Sequence, residues 1–192
     1  KSISKFDYAS MIGVGFAYLA TKANERFQFA TFAEKLQTFQ ARRGMSQLAL
    51  MVDHLNKLKA AGQSTFVESM KQYKKVLGTR GLILVVSDFL MDIDEIAQGL
   101  YSLGNHEVKM VQVLDADERR LPLKGDVNLT DSETKQKMHT YVSQKLKSDY
   151  QDGIQRHAAR IEQACNKVNA RFYSLDTGMP IFDSFFQILK DN

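Results

Sequence analysis

Apolar residues near the start of the chain recur at intervals of three and four positions, which is the spacing of a helix with one buried face. This pattern covers residues 5–23. Ser4 precedes it and can cap the helix, because its hydroxyl can accept a free amide proton of the first turn. Residues 27–32 then alternate in the manner of a strand, and residues 36–39 form a second short stretch. Because only a few residues separate these two stretches, they predict a β-hairpin.

Helical spacing returns in five later segments. Ser46 is predicted to open the first of them and Gly62 to end it. Asp92 or Asp94 is predicted to cap the third. In chain order the segments are residues 47–60, residues 65–77, the residues from that cap to Leu103, residues 136–168 and residues 181–189.

Three segments have the composition of strands buried in a parallel sheet. Residues 82–86 are five consecutive apolar residues, and such a run without alternation is typical of a central strand that is buried on both faces. Residues 108–113 predict the next strand and residues 171–176 the last. Residues 116–135 are polar and turn-rich, and they predict a small β-excursion. Strands that alternate with helices predict an α/β fold of layers around a largely parallel sheet.

Each of these three strands ends in an acidic residue, namely Asp88, Asp115 and Asp176. Folds of this class place function at the carboxyl ends of their strands. We therefore expect the three carboxylates to converge at one edge of the sheet. That convergence alone does not distinguish metal binding from catalysis.

The composition fits one globular domain over residues 1–192, with 44% apolar and 25% charged residues. The net charge of +4 leaves nucleic-acid binding as a hypothesis that no recognised motif supports. The single cysteine excludes an internal disulfide framework and fits a reducing compartment. The sequence has no apolar run that could cross a bilayer and no secretory signal, so we expect a cytoplasmic protein.

Common catalytic and nucleotide-binding motifs do not occur in the sequence: it has no Walker A loop, no GxGxxG turn and no GxSxG elbow. Its four histidines lie far apart, so a zinc site is not expected. Cys165 has the spacing of a buried helix face, and we expect it to pack in the core. Two interpretations stay open for Thr65 and Asp88. In the first, Thr65 caps a helix and Asp88 holds the following turn. In the second, both residues belong to a functional site.

Short segments that are spread along nearly the whole chain resemble, in the same order, segments of a known family. The segments are residues 4–9 (SKFDYA), 16–19 (FAYL), 42–44 (RRG), 62–65 (GQST), 84–90 (LVVSDFL), 113–134 and 175–177 (LDT). They resemble the bacterial family called domain of unknown function 58, a divergent von Willebrand factor A-like domain that is often encoded beside MoxR-type AAA+ ATPases.

This resemblance implies a Rossmann-like three-layer sandwich with helices on both faces of a mostly parallel sheet. It also implies a metal-ion-dependent adhesion site, in which oxygen ligands from three loops hold Mg²⁺ or Mn²⁺ at the carboxyl edge. Thr65 matches the threonine of the second loop, and Asp88 matches the aspartate of the third. The resemblance thus implies Thr65 and Asp88 as metal ligands and implies no catalytic residue.

The first ligand loop of such domains, Asp-x-Ser-x-Ser, is absent from the sequence. Ser2 and Ser4 have the Ser-x-Ser spacing, so one reading is that the chain begins inside this motif. The other reading is that the chain is the C-terminal part of a longer protein and lacks the first strand, which is central in these sheets. Two strand edges would then be unpaired, and we hypothesise that another segment fills the gap. The metal site is accordingly expected to be partial or absent.

Two main hypotheses of function follow. The first is a non-enzymatic protein–protein interaction module that acts with a MoxR-type ATPase in the assembly or maturation of other proteins. The alternative is a metal-dependent α/β hydrolase, a phosphohydrolase that uses Asp88 as nucleophile or metal ligand. We expect the first, and therefore no enzymatic activity, because the sequence shows no clear general base beside Asp88. The sequence does not identify the partner-binding residues.

Overall fold

A computed structural model describes residues 3–58, 65–78, 80–123, 125–130 and 137–190. These residues form a mixed α/β structure whose helices and strands alternate along most of the chain. In chain order the elements are α1 (Lys5–Lys22), β1 (Ala30–Phe32), β2 (Leu36–Thr38), α2 (Met45–Lys57), α3 (Phe66–Lys74), β3 (Leu82–Ser87), α4 (Ile93–Ser102), β4 (Glu107–Leu114), α5 (Ala116–Arg120), β5 (Gly125–Thr130), β6 (Lys137–Val142), α6 (Gln144–Asn166), β7 (Arg171–Asp176) and α7 (Ile181–Lys190).

The main sheet of the described residues has three parallel strands in the order β3-β4-β7. The prediction that residues 82–86 form a central strand is therefore wrong for the described part of the chain, because among its strands β4 is central and β3 lies at an edge. An apolar run indicates that both faces of a strand are covered, and this is true of β3. Ile83 and Val85 face one core, while Leu84 and Val86 pack against the other. Coverage of the faces does not reveal whether a strand has neighbours on both of its edges.

Helices cover both faces of this sheet, which confirms the predicted α/β layers. On one face α3, α4 and α6 pack against β3 and β4 through Phe66, Leu100 and Ile161. On the other face α1 and α7 pack against β4 and β7, with Tyr8 and Ile188 in the core. Burial of these large apolar side chains on both faces is the main force that stabilises the arrangement.

The predicted hairpin is confirmed as β1 and β2, which pair in antiparallel register from Ala30↔Thr38 to Phe32↔Leu36. It forms a two-stranded sheet of its own and does not join β3 among the described strands. A separate core lies beneath it, in which Phe29 packs with residues of α1 and α2. The outer edge of β3 thus has no strand partner in the part of the chain that the structure describes.

Two predicted helix caps are correct and one is not. The hydroxyl of Ser4 accepts the N–H of Asp7 over 3.1 Å and caps α1, while Asp92 caps α4 in the same way through Asp94 N. Ser46 does not open α2, because the helix begins one residue earlier and Gly44 is its cap. Gly44 has a φ of 86°, which glycine adopts without steric cost. Gly62 lies outside the described residues.

The predicted β-excursion is present but extends further than expected. It contains the short helix α5 and the antiparallel hairpin of β5 and β6. The prediction of a helix from residue 136 is wrong for residues 137–142, which form β6 instead. Aromatic and β-branched residues favour strands, and here exposed Tyr141 is followed by buried Val142, so pairing with β5 outweighs the helical pattern. The helix α6 begins only after Ser143, whose hydroxyl caps it.

Candidate functional site

The three predicted acidic residues lie at one edge of the sheet. Asp88 follows β3, Asp115 follows β4, and Asp176 is the last residue of β7. Because these strands are parallel, their carboxyl ends meet at the same edge. We call this region the carboxyl edge. The structure thereby confirms the convergence that the sequence predicted.

Lys5 joins two acidic residues at this edge, although it comes from the first turn of α1. Its Nζ donates a hydrogen bond to Oε1 of Glu118 over 2.8 Å and to Oδ2 of Asp88 over 3.3 Å. The side chains of Lys5, Asp88 and Glu118 are 32–38% exposed. Since water screens ion pairs of this exposure, each contributes on the order of 0.2–1 kcal/mol. The contacts fix the direction of the ammonium more than they stabilise the fold.

Glu118 and Asp115 are linked through the first turn of α5. They form a capping box, in which Asp115 caps the helix and Oε2 of Glu118 accepts the backbone N–H of Asp115 over 3.1 Å. Thr177, which follows β7, donates its hydroxyl to Oδ2 of Asp115 over 3.2 Å. Glu118, which accepts a hydrogen bond from Lys5, is thus connected through Asp115 to the ends of both β4 and β7.

A second chain of hydrogen bonds crosses the same edge at a deeper level. The buried Gln112 of β4 donates its side-chain amide to the carbonyl of Asp88 over 2.9 Å and accepts the hydroxyl of Ser174 over 2.9 Å. Arg119 donates to Oδ2 of Asp176 over 3.4 Å and also to Ser174. These contacts hold all three strand ends in fixed relative positions.

Sequence reasoning found Asp88, Asp115 and Asp176 and missed Glu118 and most of the partners of these residues. The sequence patterns assign no role in a site to Lys5, Gln112, Glu118 or Arg119. The one available signal was the spacing of Asp115 and Glu118, which fits a capping box before a short helix. No local pattern could connect Lys5 with Asp88, because 83 positions separate them.

The two carboxylates change the acid–base properties of Lys5. Burial lowers the pKa of its ammonium, but the hydrogen bond that it donates to Glu118 and the charge of Asp88 together outweigh burial, so the pKa stands above its usual 10.5. Lys5 is therefore a fixed positive charge throughout the neutral pH range.

The same carboxylate acts on a tyrosine of α6. Burial raises the pKa of Tyr150, and the charge of Glu118 adds to that rise.

The backbone at Asp88 turns sharply. The next residue, Phe89, has a φ of 50°, in the left-handed region that bulky residues rarely adopt. Its ring is fully buried and packs edge-on against Phe66, with ring centroids 5.8 Å apart. Its carbonyl oxygen lies 2.7 Å from Nε2 of His157 on α6. These contacts hold the strained turn in place, so the position of Asp88 is determined by the core below it.

Thr65 lies at the start of α3 and contacts the hairpin rather than Asp88. Its hydroxyl donates to the carbonyls of Ala33 and Glu34 over 3.1 and 3.3 Å, and it does not cap α3. Its described hydrogen bonds do not reach Asp88, whose carboxylate contacts Lys5 and the N–H of Leu90. The predicted ligand roles of Thr65 and Asp88 stay predictions.

The arrangement of these residues does not fit a divalent ion. Mg²⁺ requires about six oxygen ligands at about 2.0–2.1 Å. Here a lysine ammonium lies against Asp88, and Thr65 is directed to the hairpin turn. Within the described ranges no group of three or more His, Cys, Asp or Glu side chains could hold a metal ion. Ser2, which the sequence suggested as a further ligand, lies outside those ranges.

An open cleft of about 780 Å³ lies at the opposite edge of the sheet, where the strands begin. Arg80, His106 and Arg171 are among the residues that line it. Nδ1 of His106 accepts the N–H of Gly81 over 3.2 Å, which connects the starts of β3 and β4. The length of the strands separates this cleft from the carboxyl edge. The residues that line the cleft are not part of the network described above.

The helices that the structure describes include none with the length and apolar content needed to cross a membrane.

Two solved structures share this fold at low sequence identity. One is an aerotolerance-related membrane protein from Bacteroides fragilis, with a TM-score of 0.55, 10% identity, and coverage of 96% of this chain and 87% of that one. The other is the conserved hypothetical protein BatB from Bacteroides thetaiotaomicron, with a TM-score of 0.50, 9% identity, and coverage of 96% and 88%. At this identity the likeness concerns the fold alone.

Curated relatives match part of the chain. The uncharacterized protein MAV169 of Mycobacterium avium and the uncharacterized protein Rv1480 of Mycobacterium tuberculosis are each 30% identical over 98 residues, which is 51% of this chain. The match spans 58% of the first relative and 31% of the second. The chain therefore covers less than two thirds of the length of these relatives.

A family model described as protein of unknown function DUF58 matches residues 1–160. This is most of the chain, and it includes Lys5, Asp88 and Glu118 of the carboxyl edge. The match agrees with the resemblance that the sequence segments indicated. The chain belongs to the DUF58 family.

Proposed function

We propose that this chain is a non-enzymatic protein-interaction module of von Willebrand factor A type and that it binds its partner at the carboxyl edge. The observation that carries the proposal is the network around Lys5, Asp88 and Glu118. It is held rigidly by the strand ends, yet each of these side chains is about a third exposed. A fixed and accessible arrangement of charges suits recognition, because little side-chain entropy is lost on binding.

The proposed partner is a MoxR-type AAA+ ATPase, and the proposed process is the assembly or maturation of other proteins. The family resemblance supports this choice of partner. The proposed place of action is the cytoplasm, where ATP is present and where Cys165 would remain a free thiol. The BatB and aerotolerance-related structures support the fold on which the proposal depends.

Charge reversal at the carboxyl edge tests this proposal. We would immobilise the chain and measure capture of the MoxR-type ATPase encoded by the same organism, with the wild type and with Lys5→Glu. We expect Lys5→Glu to weaken capture by about tenfold or more, because it places like charges at the centre of the interface.

Lys57→Glu is the matched control. Lys57 forms an exposed ion pair with Asp53 on α2, over 2.6 Å, and neither residue belongs to the network at the carboxyl edge. Equal capture by the wild type and Lys5→Glu would contradict the proposed interface. Mg²⁺-dependent hydrolysis of a phosphate ester that Asp88→Asn abolishes would contradict the non-enzymatic function and support the hydrolase.

A further inference from the structure

Lys5 presents a positive charge at the point where two carboxylates of the carboxyl edge converge. Asp88 follows β3 and Glu118 lies on α5, and both contact the one ammonium group, over 3.3 and 2.8 Å. Without a cation between them, two carboxylates at such short distances from a common point would repel each other. The ammonium removes that repulsion and hydrogen-bonds to both groups at once.

The distances suit an ammonium group. The contact of 2.8 Å to Glu118 lies within the range of about 2.7–2.9 Å that is typical of charge-assisted N–H···O hydrogen bonds, and the contact of 3.3 Å to Asp88 is longer. The backbone opposes a rearrangement, because Gln112 holds the carbonyl of Asp88 and Asp115 holds Glu118 through the capping box. The two carboxylates are therefore held beside the ammonium, which takes the position between them.

We propose that the ammonium of Lys5 is the resident cation of the carboxyl edge, in place of a divalent metal ion, with Asp88 and Glu118 as its two carboxylate partners. The cation is a covalent part of the chain and cannot dissociate. The electrostatic state of this edge is then independent of the concentration of Mg²⁺ or Mn²⁺. The inference concerns the chain itself and does not depend on the identity of a partner.

Thermal unfolding with and without metal ions tests this inference. The wild type, Lys5→Gln and the control Lys57→Gln would be unfolded in Mg²⁺, in Mn²⁺ and in EDTA at equal ionic strength. Native-state binding raises the unfolding temperature, so the wild type should show the same Tm in all three solutions. Lys5→Gln should unfold about 2–4 °C lower in EDTA, and a divalent ion should recover part of that loss in a saturable way. Lys57→Gln should behave like the wild type.

The double variant Lys5→Gln/Asp88→Asn should lose the response to ions, since one of the two carboxylates is gone. A saturable rise of the wild-type Tm with Mg²⁺ or Mn²⁺ that Asp88→Asn abolishes would overturn the inference, because a metal ion would then be the resident cation. So would a Lys5→Gln protein with unchanged Tm, or one that no divalent ion stabilises. Direct Mn²⁺ binding to the folded wild type, followed by electron paramagnetic resonance, provides a readout if Lys5→Gln does not fold. The inference requires that no Mn²⁺ binds at this edge.

Discussion

Thr65 donates both its backbone N–H and its hydroxyl to the carbonyl oxygen of Ala33, over 3.0 and 3.1 Å. Ala33 belongs to the turn between β1 and β2, so this residue joins the start of α3 to the hairpin. The chain neighbours of these two residues, Phe32 and Phe66, are also in contact, with ring centroids 5.8 Å apart. Thr65 therefore has a structural role that is visible without any ligand.

Substitution of Thr65 should affect stability through this contact. We expect Thr65→Val to lower the free energy of unfolding by about 1 kcal/mol, because the hydroxyl is lost while the shape of the side chain is kept. Thr65→Ser keeps the hydroxyl and should stay close to the wild type. Urea unfolding of the three proteins measures the difference. Equal stability of Thr65→Val and the wild type would show that the hydroxyl contact contributes nothing.

Two glycines in helices should respond to alanine with opposite signs. A Cβ on Gly99 of α4 would overlap the ring of Phe66, so Gly99→Ala should destabilise the protein by about 1–3 kcal/mol. A Cβ on Gly153 of α6 would meet no described atom within 4 Å. Gly153→Ala should therefore stabilise the protein by about 0.5–1 kcal/mol, since alanine restricts the unfolded chain. A destabilised Gly153→Ala protein would show that α6 has a close neighbour at this point.

Cys165 should be chemically inert in the folded protein. Burial raises the pKa of its thiol to about 12, and the charge of Glu162 contributes to this rise. The reactive thiolate is then scarce, so alkylation by iodoacetamide at about pH 8 should be slower by roughly 10³-fold in the native protein than in denaturant. Mass spectrometry of the alkylated chain measures both rates. Comparable rates in the two states would contradict the burial of Cys165.

The ammonium of Lys5 should make stability depend on pH at the alkaline end. Its pKa is raised above 10.5 in the folded protein, so its contribution is fully present below pH 10.5 and is lost as the pH rises through the folded pKa. Lys5→Gln should show a smaller loss of stability over this range than the wild type. Urea unfolding at about pH 9 and at about pH 11 compares them. Parallel losses in both proteins would assign the effect to other groups, such as the buried tyrosines.

His54 should titrate below its ordinary range. Burial lowers the pKa of its imidazole below 6.5, and the charge of Asp53 opposes this only in part. The neutral ring lies against Phe39, with ring centroids 4.6 Å apart, and its Nε2 is 3.1 Å from the hydroxyl of Thr31. The contribution of His54 to stability is therefore present above pH 6.5 and lost as the pH falls through the lowered pKa.

A proton NMR titration of the His54 ring tests this directly, with a midpoint below 6.5 as the expected result. Asp53→Asn removes the charge that favours protonation and should lower the midpoint further. A midpoint at or above 6.5 in the wild type would contradict the packing of this ring beneath the hairpin.

The parts of the fold that were predictable are those decided by local pattern. Apolar periodicity and side-chain caps determine α1 and α4, where Ser4 and Asp92 close the first turns as expected. The alternation of helices with apolar strands was enough to place Asp88, Asp115 and Asp176 at one edge. These features depend on residues a few positions apart, and the sequence displays such neighbours directly.

The remaining features depend on contacts between distant segments. The edge position of β3 follows from which strands pair with it, and residues 137–142 became a strand because β5 offered an antiparallel partner. The partner of Asp88 is on α1, and the partner of Thr65 is in the hairpin turn. Propensity and spacing indicate only which secondary structure a segment favours by itself. They therefore could not predict these pairings between distant segments.

The hydrogen bonds of Gln112 also have a consequence for the order of folding. Its side chain joins Asp88, which is 24 positions away in the chain, to Ser174, which is 62 positions away in the other direction. Closing the longer loop costs more entropy, and α5, the second hairpin and α6 lie within it. We expect β3 and β4 to associate first and β7 to join late. During synthesis on a ribosome, the carboxyl edge cannot form until the chain has emerged beyond Asp176.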